Sequence, residues 1–229
     1  DVIDNVYRDT SNNPYTFGST WRGVVYLNQG TVQTPSTFET GQGVFNIGDG
    51  VLTNGQRDAI VELGGMWTLD RHSDGTMNVN VRSDGAILGG YFPGYSGHPN
   101  RKFEMTVAGG LVDSGNWNFG PDLSDVNKLL ISDGGIVNVG ILTIDANDII
   151  QFTDNTGVFT AKYGGTFANL DAVNAALGTT FLGAGGTFPE ARDNGDGTFS
   201  VAVPEPASAL LLTLAIPAVA ARLRRRTRG

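Results

Sequence analysis

The 229-residue chain contains no cysteine and only two histidines. Without cysteine there is no disulfide framework, no thiolate-ligated zinc and no cysteine nucleophile. The two histidines, His72 and His98, cannot build a three-histidine metal site, and neither stands in an HExxH spacing. Charge is scarce too, at 17% of residues, which argues against a helical bundle or coiled coil with its Glu- and Lys-rich faces. The opening Asp1-Val2-Ile3-Asp4 holds no basic segment leading into an apolar run. A secretory signal is therefore expected to have been removed or left out.

Glycine is what the chain has in excess: 33 residues, about twice the usual share. That composition fits an all-β chain with many turns. Charge is unevenly placed. Residues 204–229 hold five arginines and one acid, net +4, which leaves ten basic and 22 acidic residues, net −12, for residues 1–203. A body this acidic repels phosphate backbones, so no nucleic acid partner is expected.

Residues 20–165 alternate short apolar runs with Gly, Asn and Asp, the pattern of strand and turn. Paired glycines recur at 64–65, 89–90, 109–110, 134–135, 164–165 and 185–186. A loose 20–30-residue period in a strand-rich chain points to a parallel β-helix, with small residues at corners and inward Val, Ile, Leu and Phe stacking between turns. A β-sandwich is the alternative, since turns every 8–12 residues suit it equally. The stretch from Asp133 to Ile144 resembles turns of autotransporter-like bacterial surface proteins. A short helix is expected over about 169–177, with Asn169 as N-cap, Gly178 after its end, and Leu170, Val173 and Leu177 on one face. It would either cover the open end of a solenoid or serve as a connector. A final hairpin follows, with Thr187-Phe188, a turn at 193–197, and Thr198 to Val201.

The end of the chain differs in kind. Val203-Pro204-Glu205-Pro206 is a stiff break, Ala207 to Ala221 carries no charge, and Arg222, Arg224, Arg225, Arg226 and Arg228 follow. As a helix the 15 uncharged residues would span roughly 22 Å, short of a ~30 Å hydrocarbon core, so insertion needs thinning and snorkelling arginines. The arginines would hold the cytoplasmic side and leave the acidic body outside. A run of this length also occurs as a buried core helix. Its uniform apolarity and basic end favour the membrane.

The order of proline motif, apolar helix and basic end resembles the PEP-CTERM sorting tail of bacterial exported proteins. The resemblance covers about the last 27 residues. It implies recognition by an exosortase in the inner membrane, cleavage near the motif, and release to the cell surface or extracellular matrix. Two regions are thus expected: a β-rich extracellular body over 1–202 and a transiently anchoring tail with a hydrophobic helix over 203–229.

The body offers little catalytic chemistry. No GxSxG elbow places a nucleophile, and Lys102, Lys128 and Lys162 stand in no motif. Asp193-Asn-Gly-Asp-Gly197 lacks the spacing and distal Glu of a calcium loop, and a hairpin turn explains it. Trp67 and Trp117 are expected in the core or at its corners. Tyr91, Phe92 and Tyr95 crowd a Gly- and Pro-rich segment. They would either stack on sugar rings or pack back on the body. No catalytic residue, metal or cofactor is expected. The expected role is structural or adhesive, beside extracellular polysaccharide in a biofilm matrix. Alternatives are a secreted polysaccharide lyase or hydrolase, or a glycan-binding module.

Overall fold

The computed structural model describes residues 22–34, 38–40, 42–69, 75–92, 101–119 and 126–204. Apart from one short helix and one 3-10 turn, these residues form strands and connecting turns wound as a β-solenoid. Seven strands make one sheet, in order β1 (Arg22–Leu27), β4 (Gln42–Ile47), β6 (Gly75–Val81), β8 (Arg101–Ala108), β11 (Val126–Ser132), β13 (Ile149–Phe152) and β15 (Phe181–Leu182). The second is built on β2 (Gly30–Thr34), β5 (Ala59–Leu69), β7 (Gly85–Tyr91), β9 (Leu111–Asp113), β12 (Ile136–Thr143) and β14 (Val158–Lys162). It continues through β17 (Thr198–Ala202) to β16 (Glu190–Asp193). A short third face pairs β3 (Phe38–Thr40) with the end of β5, and β10 (Trp117–Asn118) with the end of β12.

Throughout the seven-stranded sheet each strand pairs in parallel with the strand one turn later, not with its neighbour in sequence. That pairing removes the sandwich, whose sheets are built from antiparallel strands. Side chains alternate in and out along a strand, interrupted at irregularities in β5 and β12, so inward residues fall into columns running across the turns. One column is Leu27, Ile47, Val81, Val107, Ile131 and Phe152. Another is Val32, Val61, Ile87, Val112, Val137 and Phe159. From Val61 and Ile47 onward these residues are almost fully buried.

A third column reveals a repeat that the paired glycines conceal. Gly65-Met-Trp67, Gly90-Tyr-Phe92, Gly115-Asn-Trp117, Gly140-Ile-Leu142 and Gly165-Thr-Phe167 follow one another at a constant step of 25 residues. In each, the third residue is buried. The glycine is there for closeness: a Cβ on Gly115 would sit 2.6 Å from the Gly90 carbonyl oxygen, to which the Gly115 N–H donates. The pairs at 109–110 and 134–135 belong to a different corner, between the two large sheets, so their spacing from 89–90 mixes two positions on the turn. The pair at 185–186 is no corner at all; it lies in the 3-10 turn Ala184–Gly186.

The carboxyl-terminal end of the solenoid is closed differently. Helix α1 (Leu170–Ala175) starts at Asn169, whose side chain accepts from the Ala172 N–H, and buries Val173. It lies beside β16. The chain then returns as the hairpin β16–β17, whose pairings are the antiparallel ones among the named strands. This hairpin begins at Glu190, not at Thr187-Phe188, and Phe188 is 73% exposed. Inside the end, the rings of Phe159, Phe167, Phe181 and Phe199 pack with centroids 5.3–6.5 Å apart.

Candidate functional site

Two regions gather the residues singled out by sequence: the junction with the tail and the outer surface around Tyr91. The junction is set by β17. Its entry turn is tightly held, because the Asp196 carboxylate accepts from both the N–H and Oγ1 of Thr198, and Asp193 accepts from the Gly195 N–H. The Thr198 bonds hold the Asp196 carboxyl below its usual range. Both Asp side chains thus serve the turn.

From Thr198 the strand runs between β14 and β16, paired on both edges through Ala202. Phe199 and Val201 point inward and are fully buried. The alternation continues one residue beyond the strand: Val203 is 3% exposed and part of the core, whereas Pro204 is exposed. Val203, placed by sequence at the head of the tail, therefore belongs to the packing of the body. Glu205, Pro206, the apolar run and Arg222, Arg224, Arg225, Arg226 and Arg228 lie outside the described residues. Among the described residues, no helix is long and apolar enough to cross a membrane.

At the second region the three aromatics do not act together. Tyr91 is 45% exposed and Phe92 is 6% exposed. As neighbours near the end of β7 they point to opposite faces. Phe92 stacks on Trp67 at 5.4 Å and meets Trp117 edge-on at 4.9 Å, so its ring cannot face a sugar. Trp67 and Trp117 are core residues, with the Trp117 indole N–H donating to Ser114 Oγ. Tyr95 lies outside the described residues, as do His72 and His98.

The middle residues of the 25-residue repeat put Met66, Tyr91, Asn116 and Ile141 along the outside of one corner. Asn116 is held there by its Oδ1, which accepts from the Ile141 N–H. On the neighbouring face of the large sheet, Glu62, Leu88, Asp113 and Asn138 stand in register. Sequence reasoning missed this grouping, although a search for Gly followed two residues later by a large apolar residue, at a step of 25, would have found the repeat.

Two buried carboxylates anchor turns. Asp84 accepts from the N–H groups of Asp49 and Gly50, at 2.9 and 2.6 Å. Asp148 accepts from Asn127 N–H and Nδ2 and from the Asp145 N–H. Burial nevertheless pushes the Asp148 carboxyl above its usual range, outweighing those bonds. Among the described residues, no three His, Cys, Asp or Glu side chains come together as a metal site would require. No protein-family model, no curated protein and no solved structure matches this chain.

Proposed function

We propose that this is an exported bacterial protein of the cell surface or extracellular matrix, sorted through a PEP-CTERM tail and non-enzymatic in role. Its partners on this reading are an exosortase and, transiently, the inner membrane, and then extracellular polysaccharide. The observation that carries the reading is the order of Pro204-Glu205-Pro206, the uncharged run to Ala221 and the arginine end. The residues before the tail support it: among the described residues Val203 is the last in the core, and Pro204 is exposed. The pairings of β17 end at Ala202, and a proline at 204 lacks the N–H that a further ladder bond would need. In the native host, replacing Pro204, Glu205 and Pro206 together by Ala is expected to leave an unprocessed, membrane-retained precursor. Normal processing and surface delivery of that variant would overturn the reading.

A glycan-binding role for the body has one observation in its favour, the exposed Tyr91 ring with Asn116 beside it on the repeat. An aromatic face takes the C–H side of a sugar, and amide or carboxylate groups take its hydroxyls. The net −12 of residues 1–203 favours neutral or amine-bearing polysaccharide over a uronate polymer. Saturable binding to a neutral glycan that survives Phe92→Tyr but is lost in Tyr91→Ala would support this role. A polysaccharide panel whose viscosity falls on incubation would favour the enzyme instead.

A further inference from the structure

We infer that proteolytic release of this protein leaves Val203 and Pro204 on the body, so that the cleaved peptide bond lies after Pro204 at the earliest. The inference rests on the sorting reading for the identity of the protease, but its geometry stands on described residues alone. A protease commonly takes its substrate as an extended strand whose free backbone groups pair with the enzyme. Strand β17 has none to offer, because it is paired to β14 on one edge and to β16 on the other through Ala202. Phe199, Val201 and Val203 are simultaneously drawn into the core. The Ala202–Val203 bond is thus flanked by a doubly paired residue and a buried one. Exposing it would require peeling the hairpin away from the Phe159–Phe167–Phe181 cluster.

The next bond, Val203–Pro204, still has the buried Val203 on its amino side, and its nitrogen belongs to a proline ring without an N–H. The bond after Pro204 is the first whose amino-side residue is neither paired in the sheet nor buried. Its hydrolysis breaks the C–N bond, with water supplying OH to the Pro204 carbonyl carbon and H to the departing amine of Glu205. The consequence for the motif is a division of labour. Val203 is packed into the core, and exposed Pro204 begins the stretch proposed for the protease.

Two measurements on the full chain test this. The first is intact mass of the form released in the native host, together with the fragment that survives proteinase K treatment of the full-length chain in detergent. Carboxyl ends at Pro204 or later are expected in both, and an end at Val203 or earlier in either overturns the inference. If the host releases nothing, the sorting reading fails, and the proteinase K fragment alone decides the position of the barrier. The second compares Val203→Asp with Pro204→Ala in the full chain. Val203→Asp is expected to lower the melting temperature of the body by at least about 5 °C and to move the proteinase K end into β17, since a charge would enter the core. Pro204→Ala is expected to do neither. Equal behaviour of the two variants would show that Val203 does not close the body.

Discussion

Trp67 and Phe92, 25 residues apart in the chain, stack with ring centroids 5.4 Å apart and planes 26° from parallel. They are successive members of one column, continued by Trp117, Leu142 and Phe167, and their burial sets the direction of the adjacent Tyr91. Phe92→Ala is therefore expected to cost about 3–5 kcal/mol, and Tyr91→Ala within about 0.5 kcal/mol. Urea denaturation of the two variants checks this, and similar midpoints for both would contradict the assignment of faces.

The corner glycines make a second, independent expectation. At Gly115 a methyl group would meet the Gly90 carbonyl at 2.6 Å, so Gly115→Ala must push two turns apart. A loss of about 1–3 kcal/mol is expected, as for overpacking elsewhere. A midpoint equal to wild type would mean that the turns are not held this closely.

Capping of α1 is testable by conservative rescue. Asn169→Ala removes the acceptor for the Ala172 N–H at 3.0 Å and is expected to cost about 1 kcal/mol. Asn169→Asp keeps an acceptor and should retain most of that stability. If both variants melt with wild type, the cap contributes nothing to the end of the solenoid.

Acid sensitivity should differ between two carboxylates. For Asp154, desolvation works against ionisation. Hydrogen bonds from the Asp133 N–H, the Thr156 N–H and Oγ1, and the Gly157 N–H nonetheless hold it below its usual range. Its contribution is present above the unfolded value of about 4 and disappears as pH falls through the lower folded value. The gap in melting temperature between wild type and Asp154→Asn, about 2 °C at neutral pH, should thus close in acid. Asp148 has the opposite sign: burial raises its folded value, so the stabilising effect of its protonation is present in acid and lost as pH rises. A gap for Asp154→Asn that widens on acidification would refute the assignment.

Much of the architecture was readable without coordinates. Alternating apolar runs and abundant glycine point to strands and tight corners, and Asn169 with Gly178 brackets the helix closely. These signals are local: they depend on side-chain alternation, cap chemistry and positive φ, as at Gly178 with φ of 81°. Between solenoid and sandwich the local signals are silent, because both folds need the same strands and turns. The choice lies in which strands pair, and that requires registering residues about 25 positions apart.

The same limit explains the sites. The sequence alone determines that proline, apolar run and arginines form a tail unlike the body, since composition changes abruptly there. It cannot decide that Val203 belongs to the core and Pro204 does not, because burial is a property of what surrounds a residue. Nor can it separate Tyr91 from Phe92, two adjacent aromatics of similar chemistry. One faces solvent and the other stacks on Trp67 because a strand turns successive side chains to opposite sides, and only the pairing of distant turns says which side is the interior.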